Sequence, residues 1–409
     1  MKVLFLCDGM AFEINEKTMP ITSGYSYLVR DLMSSFAENR ENSAFCYSKN
    51  LESQRKEWKG VKLLKRSPLL VICHAKHFYV RLWAAFVKRM RLNAYEYVYL
   101  LYAYLEGGLI EHIIRHGDFD LVSIQGVTKL TVPYILACER SGVRYCISFH
   151  ALDFSKNGYT EGGQYAVKWI LNVAARKEIP TSFISTGMCS RAREMLDDSS
   201  KKSARFKIIL NGFSKIKPLK ENIRLKYDIP SDAIVGLCCA NITERKNQIQ
   251  IVRAYNLLPK EIQDRLYILF VGREGDCNVR KEIESARRSK HLIICGTIDH
   301  SRLAPYFDAA NFGIVSSLSE GFGLSILEAF SFGIPVVTWS DLDAVDDLYF
   351  EKAMVKVCER NDQALANGIM KVITTQWDHD EIVEYSESFS MESMVSKYEE
   401  WFLSQVKSK

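Results

Sequence analysis

The chain has 409 residues, of which 47% are hydrophobic and 25% are charged, and its formal net charge at pH 7 is +5. These values are ordinary for a soluble globular protein, and the length favours two or three domains over one. No apolar run reaches the about 18 residues of a membrane span, and Val3–Cys7 is too short for the apolar part of a signal peptide. We therefore expect a cytoplasmic protein.

The 11 cysteines are odd in number and form neither a C-x-x-C pair nor a Cys/His cluster with zinc spacing. Most of them lie inside apolar, strand-like runs, where free cysteine behaves as a small apolar residue. The cysteine pattern therefore predicts a reducing compartment, without disulfides or a structural metal.

Short apolar runs alternate with longer amphipathic segments, a pattern typical of α/β proteins with parallel sheets. In the first half the predicted strands are Val3–Cys7, Ala44–Tyr47, Val61–Leu64, Leu121–Gln125, Tyr145–Phe149 and Ser182–Ser185. In the second half they are Phe206–Leu210, Ile234–Ala240, Tyr267–Val271, Leu292–Cys295, Phe312–Ser316 and Val336–Trp339. The predicted helices between them include Tyr25–Glu38, Val132–Ser141, Gln248–Leu258 and Leu324–Phe332.

The polar run Asp197–Ser203 separates the two strand series and predicts a domain boundary. We therefore expect two doubly wound, Rossmann-like α/β domains facing a cleft, over residues 1–196 and 204–388. Ligands of such sheets bind at the carboxyl ends of the strands. An amphipathic helix is predicted over residues 389–409, and it could pack back on the first domain.

The segment Ile314–Val337 predicts a strand, a loop, a helix and another strand. Gly321 and Gly323 allow the loop to turn tightly and to approach a ligand closely. Gly333 and Pro335 end the helix. The backbone N–H groups at the start of this helix then favour phosphate, because they have no partner within the helix and the helix dipole attracts anions.

Glu320 lies on the loop and Glu328 in the helix. With the intervening Gly-Phe-Gly and the following Glu-Ala-Phe-x-x-Gly-x-Pro-Val-Val, they resemble the E-x7-E motif of the retaining glycosyltransferases of family 4, which have the GT-B fold. The resemblance extends over nearly the whole chain and is weak over residues 45–110. It implies that Glu320 binds the donor sugar and Glu328 the ribose, and that the diphosphate and sugar are held by the amides of Phe322, Gly323 and Leu324. A capping Glu320 and a solvated Glu328 are the structural alternative.

Lys246 follows the predicted strand Ile234–Ala240. The resemblance implies that this lysine, together with an arginine five residues earlier, neutralises the donor diphosphate. Asn241 occupies that earlier position in this sequence, so one expected cation is missing unless Arg245 replaces it. A solvated loop lysine is the alternative.

Two sites in the first half complete the resemblance. Gly24 precedes the helix Tyr25–Glu38 and matches the glycine loop that approaches the donor phosphates, although a plain capped turn would look the same. His150 follows the strand Tyr145–Phe149 and resembles the family histidine that faces the reacting sugar. Asp153 is a candidate for acceptor binding.

Two carboxylates would also suit a glycosidase, with one as nucleophile and the other as acid. The resemblance implies instead a front-face transfer with retention, in which the departing diphosphate helps to accept the proton of the acceptor. Lys246 and the helix N-terminus would stabilise the growing charge. The catalytic candidates are thus Glu320, which positions the sugar, His150 and Lys246.

No metal is expected. Asp118-Phe-Asp120 and Asp341-Leu-Asp343 match the Asp-x-Asp pair that holds a divalent ion in another transferase fold. Neither pair lies beside the predicted phosphate loop.

Residues 49–91 contain twelve Lys and Arg against two acidic residues. Within this stretch, residues 62–91 combine cations with large apolar side chains and predict an amphipathic helix. Docking on an anionic membrane at the inner face is one interpretation. A helix buried against the first domain, with a solvated basic face, is the other. No recognition motif supports nucleic-acid binding.

The resemblance implies a retaining glycosyltransferase that transfers a hexose-type sugar from a nucleoside diphosphate sugar to a glycan or lipid-linked acceptor. Assembly of surface polysaccharide or glycolipid is the expected setting. A nucleotide-sugar epimerase with the same fold is one alternative, and a non-catalytic nucleotide-binding protein is another, because Asn241 stands where a cation is expected. No P-loop or dinucleotide fingerprint supports ATP or NAD as a ligand.

Overall fold

A computed structural model describes residues 1–7, 10, 24–48, 56–64, 66–88, 94–152, 161–201 and 203–407. The chain divides into two compact units. Unit 1 contains Met1–Gly212 and Met391–Lys409, and unit 2 contains Phe213–Ser390.

Unit 1 is built on an eight-stranded sheet with the order β3-β4-β2-β1-β5-β6-β7-β8. Its strands are β1 (Lys2–Cys7), β2 (Ser43–Ser48), β3 (Glu57–Trp58), β4 (Val61–Leu63), β5 (Leu121–Gln125), β6 (Tyr145–Phe149), β7 (Thr181–Phe183) and β8 (Phe206–Ile208). Its helices are α1 (Gly24–Glu38), α2 (Pro68–Cys73), α3 (His77–Val87), α4 (Ala94–Gly117), α5 (Val132–Ser141), α6 (Glu161–Arg176), α7 (Thr186–Glu194) and α8 (Asp198–Lys201). All strand pairs are parallel except β3–β4.

Unit 2 is built on a six-stranded parallel sheet with the order β11-β10-β9-β12-β13-β14. Its strands are β9 (Ile234–Cys239), β10 (Leu266–Val271), β11 (Leu292–Gly296), β12 (Phe312–Val315), β13 (Val336–Trp339) and β14 (Met354–Val357). Its helices are α9 (Ile223–Lys226), α10 (Gln248–Asn256), α11 (Lys260–Gln263), α12 (Cys277–Ala286), α13 (Ala304–Ala309), α14 (Leu324–Ser331), α15 (Val345–Leu348), α16 (Asp362–Thr374) and α17 (His379–Glu387).

Strands β1 and β10 are almost entirely apolar because both of their faces are covered. Every residue of β10 is buried, and so is every residue of β1 after Lys2. Continuous apolar strands of this kind are typical of parallel sheets between helical layers. The structure therefore confirms the predicted doubly wound α/β class.

The last helix, α18 (Met391–Lys407), belongs to unit 1 and packs against α1. The Phe402 ring contacts Phe5 and Phe36, with ring centroids 6.0 and 5.9 Å apart. These edge-on aromatic contacts in a buried core fix the helix on the first sheet.

The division between the units corrects the predicted domain limits at residues 196 and 204. Strand β8 follows the polar run Asp197–Ser203, yet it pairs with β7 and completes the sheet of unit 1. The polar run contains the short helix α8 and is not a linker. The chain passes from one unit to the other at Gly212–Phe213.

Candidate functional site

The predicted phosphate loop connects β12 to α14. Gly323 is the N-cap of α14 and has φ +77, a conformation that favours glycine. Helix α14 starts at Leu324, has no acidic residue in its first turn and turns Ile326 and Leu327 into the core. Its first N–H groups have no partner within the helix, so the loop ends in a feature that favours anions.

Glu320 on this loop is an almost buried carboxylate surrounded by donors. Its side chain is 10% exposed, and its Oε1 accepts hydrogen bonds from the Lys246 ammonium and from Ser317 Oγ, the latter at 2.6 Å. Arg245 Nη1 lies 3.6 Å from the other oxygen. Burial alone would raise the pKa of Glu320, but the two cations and the Ser317 hydrogen bond hold it below its ordinary value. Glu320 is therefore ionised near neutral pH.

The two cations reach Glu320 because two loops are joined by hydrogen bonds. Lys246 ends a 3₁₀ turn that Thr243 caps, and Asn247 follows it with φ 52. The Leu318 N–H donates to the Arg245 carbonyl at 2.8 Å, and Arg245 Nη1 donates to the Ser319 carbonyl at 2.8 Å. These hydrogen bonds join the loop after β9 to the loop after β12 at the carboxyl ends of the two strands.

Glu328 lies in α14 and is paired with a histidine that sequence analysis missed. His300 Nε2 lies 2.8 Å from Glu328 Oε1, and both side chains are only partly exposed. His300 begins a short 3₁₀ turn that follows β11. No single segment signals this pair, because His300 follows β11 and Glu328 follows β12, and β10 and β9 lie between these strands in the sheet. The alternative of a freely solvated Glu328 does not fit this contact.

Asn241 uses its side chain to hold the neighbouring strand end. Its Oδ1 accepts a hydrogen bond of 3.2 Å from the backbone N–H of Arg273, which follows β10. The Ile242 N–H donates to the Arg273 carbonyl at 2.9 Å. Gly272 has no room for a side chain, since a Cβ there would lie 2.1 Å from the Ala240 carbonyl oxygen. Arg273, a second residue that sequence analysis missed, is thus fixed beside Asn241.

In unit 1 the structure brings together the start of α1 and the end of β6. Helix α1 begins at Gly24, and the Tyr25 ring packs edge-on against His150 with centroids 5.1 Å apart. Tyr25 also donates a hydrogen bond of 2.5 Å to the Gln125 carbonyl at the end of β5. The predicted acceptor residue Asp153 lies outside the described residues.

His150 is held by Gln125 and is kept neutral. His150 Nε2 lies 2.7 Å from Gln125 Oε1, and its buried Nδ1 has no hydrogen-bond partner among the described residues. Burial lowers the pKa of His150 to about 3. The imidazole is therefore uncharged at neutral pH and acts through a hydrogen bond and not through a charge.

The two Asp-x-Asp pairs have structural contacts. Asp120 Oδ2 accepts a hydrogen bond of 2.7 Å from the Lys2 N–H, and Asp341 forms an ion pair with Arg360 at 2.8 Å. Among the described residues, no group of three or more His, Cys, Asp and Glu side chains could hold a metal ion.

Within the basic aromatic region 62–91, the described residues 62–64 and 66–88 are only partly packed. Helix α3 turns Phe86 into the core, where it contacts Trp169 with centroids 5.2 Å apart. Arg66 and Lys76 form ion pairs with the buried Glu106 and Glu111 of α4. Thus α3 is packed as the core alternative predicts. The described helices include none that is long and apolar enough to cross a bilayer.

Three exposed apolar side chains lie on the helices beside this packed part. Leu69 and Ile72 of α2 are 71% and 65% exposed, and Val98 of α4 is 69% exposed. Helix α2 packs against α4. We call these three residues the apolar surface of unit 1.

Comparisons with known proteins agree with this architecture. Residues 220–389 match the model of the family "Glycosyl transferases group 1". A poly(glycerol-phosphate) alpha-glucosyltransferase of Bacillus subtilis is 29% identical over 182 residues, which is 44% of this chain and 26% of that protein. The match therefore spans only about a quarter of the length of that relative.

Solved structures resemble the whole chain. A sucrose-phosphate synthase from Thermosynechococcus elongatus superposes with a TM-score of 0.73, at 16% identity and 98% coverage of both chains. Anabaena Alr3699/HepE in complex with UDP and glucose superposes with a TM-score of 0.68, at 15% identity, covering 99% of this chain and all of that chain. The chain thus has the GT-B fold, and most of unit 2 is related to the glycosyl transferases group 1 family.

Proposed function

We propose that the protein is a retaining glycosyltransferase that moves a hexose from a nucleoside diphosphate sugar to a glycan or lipid-linked acceptor. One observation carries this proposal. A buried, ionised Glu320 lies between two cations and directly precedes the anion-favouring start of α14, within the segment that matches the glycosyltransferase family.

The donor would bind at this edge of unit 2. The first N–H groups of α14 and the Lys246 ammonium would hold the diphosphate. Glu320, oriented by Ser317 and its cations, would accept hydrogen bonds from sugar hydroxyl groups. Glu328, oriented by His300, would accept them from the ribose. One carboxylate for the sugar and one for the ribose would fix the donor on both sides of its diphosphate.

The reaction breaks the bond between the anomeric carbon and the phosphate oxygen, and the acceptor oxygen bonds to the same face of that carbon. The acceptor proton passes to an oxygen of the departing diphosphate, so no protein base is consumed. Negative charge grows on the diphosphate as the bond breaks. Lys246 and the α14 N-terminus stabilise it, because fixed donors in a partly buried site need no reorganisation. Glu320 acts by positioning and not as a nucleophile.

Arg273 supplies the second cation in this proposal. Its backbone is fixed beside Asn241, where the resemblance places an arginine. Its guanidinium makes no hydrogen bond or ion pair with the described residues. Arg245 is less suited, since its Nη1 already donates a hydrogen bond to the Ser319 carbonyl. A guanidinium from the next strand can bind phosphate with two parallel hydrogen bonds, as an arginine at residue 241 would.

Two comparisons suggest where to look for substrates. The Bacillus subtilis relative is a poly(glycerol-phosphate) alpha-glucosyltransferase, and HepE was solved with UDP and glucose. Glucose on uridine diphosphate is therefore the first donor to test, with a poly(glycerol phosphate) chain among the first acceptors. The apolar surface of unit 1 would dock on an anionic membrane and bring the protein to a lipid-linked acceptor.

The deciding experiment combines binding with product analysis. Nucleoside diphosphate sugars are screened for a rise in the thermal unfolding temperature, because a ligand that binds only the folded state stabilises it. The best donor is then incubated with acceptors, and the anomeric configuration of the product is read by NMR. We expect an α-configured donor to give an α-linked product. An epimerised donor in the absence of acceptor would establish the epimerase alternative, and the lack of any binding would overturn the proposal.

A further inference from the structure

Gln125 in unit 1 connects His150 to a fully buried polar network. Gln125, Ser123 and Ser148 are each 0% exposed. Gln125 Nε2 donates to Ser123 Oγ at 2.8 Å and to Ser148 Oγ at 3.3 Å. Ser182 Oγ in turn donates to Ser148 Oγ at 2.9 Å. The amide group is thus fixed by hydrogen bonds along β5 and β6, and its oxygen faces His150.

This arrangement decides which imidazole nitrogen carries the proton. Both amide hydrogens of Gln125 are used by the two serines, so its Oε1 faces His150 Nε2 as an acceptor. A neutral imidazole has one N–H, and the 2.7 Å contact places it on Nε2. The Nδ1 of His150 then presents a lone pair.

The reverse arrangement is disfavoured by the surroundings of Nδ1. If the amide were rotated, its NH₂ would donate to Nε2 and the proton would move to Nδ1. That atom is buried and has no acceptor among the described residues. A buried donor without a partner is rarer and costlier than an acceptor with an unused lone pair.

We propose that Gln125 is a positioning residue that fixes the imidazole of His150 as the neutral, Nε2-protonated tautomer at the end of β6. The effect of this residue on sugar transfer rests on the proposed function. Tyr25 supports it by packing edge-on against the imidazole and by bonding the Gln125 carbonyl, which holds the ring and the amide together. A cationic imidazole would place an N–H on the buried Nδ1, which has no acceptor among the described residues.

The test is nitrogen NMR of the full-length protein labelled with ¹⁵N-histidine. In the wild type we expect His150 to show a protonated Nε2 and an unprotonated Nδ1, without titration between about pH 5 and pH 8. Gln125→Leu removes the acceptor, so a mixture of tautomers should appear and kcat/KM should fall about tenfold. Gln125→Glu keeps an acceptor at this place and adds a negative charge, so it should keep the proton on Nε2 while raising the pKa of His150.

A protonated Nδ1 in the wild type would overturn the proposal, and so would a single unchanged tautomer in Gln125→Leu. If Gln125→Leu does not fold, the wild-type and Gln125→Glu spectra still decide, because loss of the Nε2–H tautomer in either one counts against it. The spectra need no turnover. A protein with this tautomer and without sugar transfer would overturn the proposed function alone.

Discussion

Glu320 and His150 follow strand ends in the two different sheets, yet their surroundings are opposite. Glu320 lies among Lys246, Arg245 and Ser317, which favour its charged form although it is almost buried. His150 lies against neutral groups, and burial keeps it uncharged. Burial disfavours the charged form of both side chains. Glu320 is ionised nevertheless, because opposite charges lie beside its carboxylate, whereas His150 has none among the described residues.

The different surroundings of Glu320 and His150 indicate two different chemical roles. The edge of unit 2 is an electrostatic site, in which fixed charges suit a ligand that carries phosphate. The edge of unit 1 holds a neutral imidazole, which Gln125 fixes by a hydrogen bond and not by a charge. Substitutions should therefore act differently in the two units, and variants that erase the difference test it most directly.

The largest effect is expected for Glu320→Gln, which keeps the shape of the side chain and removes its charge. Lys246 and Arg245 lose their counter-charge, and the sugar loses its strongest acceptor. We expect kcat/KM to fall by about 100-fold or more, because losses of this size follow when a reacting group is misplaced or loses a stabilising partner. Steady-state kinetics of sugar transfer measures this loss. Glu351→Gln, an exposed glutamate of the same unit, is the matched control and should keep wild-type rates.

Lys246→Ala should have the next largest effect. A charge-assisted hydrogen bond to phosphate is worth about 1.5–3 kcal/mol, so turnover should fall by well over tenfold. The control Lys217→Ala removes an exposed lysine of the same unit. Unchanged kinetics of Lys246→Ala would mean that another cation, such as Arg245 or Arg273, holds the diphosphate alone.

Arg273→Gln separates those two arginines. We expect about a tenfold loss of kcat/KM, since one of two cations on the diphosphate is removed. Asn241→Arg in the same variant places a cation where the resemblance expects it and should recover most of the loss. Arg288→Gln, on an exposed arginine of unit 2, is the control. Wild-type kinetics of Arg273→Gln would show that the guanidinium does not hold the diphosphate, because this substitution keeps the backbone contacts of residue 273.

His150 and Glu320 should begin to lower the free energy of unfolding at different pH values as the pH falls. The pKa of His150 falls from its ordinary 6.5 to about 3 in the folded protein, so its contribution to stability is present above pH 6.5 and is lost as the pH falls through that range. The pKa of Glu320 is lowered from its ordinary 4.5, so its contribution is present above pH 4.5 and is lost only below it.

His150→Asn should therefore flatten the loss of stability between about pH 6.5 and pH 5, where a single proton contributes a slope of at most about 1.4 kcal/mol per pH unit. Glu320→Gln should leave this window unchanged. Urea unfolding of the wild type and of both variants at about pH 7, 6 and 5 measures the slopes. Equal slopes in the wild type and His150→Asn would mean that the folded protein protonates His150 readily.

The sequence predicts the parts of this molecule that depend on local pattern. Alternating apolar strands and amphipathic helices predict both doubly wound sheets, and Gly323 and Gly333 mark the limits of α14. The E-x7-E spacing predicts that Glu320 lies on the loop before the helix and that Glu328 lies inside the helix. These features come from periodicity and from backbone conformations that favour glycine, which a single segment reveals.

The parts that the sequence does not predict depend on the order and pairing of the strands in the folded sheets. His300 meets Glu328, and Arg273 meets Asn241, across the edges of different strands. Gln125 reaches His150 only because β5 pairs with β6 in the register that places Gln125 beside Ser148. Strand β8 lies beyond the polar run that predicts a boundary, and pairing with β7 assigns it to unit 1. Pairing partners are a property of the folded sheet and not of any one segment.

The smallest effect is expected at the apolar surface of unit 1, which distinguishes membrane docking from a merely exposed apolar surface. Partial burial of Leu69 and Ile72 in the lipid interface is worth about 1 kcal/mol in total, so Leu69→Ser/Ile72→Ser should weaken binding to anionic vesicles about fivefold. Co-sedimentation with phosphatidylglycerol vesicles measures it, and turnover on a water-soluble acceptor should not change.

Leu225→Ser/Leu257→Ser changes two exposed leucines of unit 2 and is the matched control. We expect it to bind vesicles as the wild type does. Equal binding by all three proteins would remove the apolar surface from the proposal. Equal binding of the wild type to neutral and anionic vesicles would remove the role of charge, because cations near an anionic surface add attraction that neutral lipids lack. Weaker binding by the unit 1 variant alone would add membrane docking to the hydrogen-bonding role of unit 1.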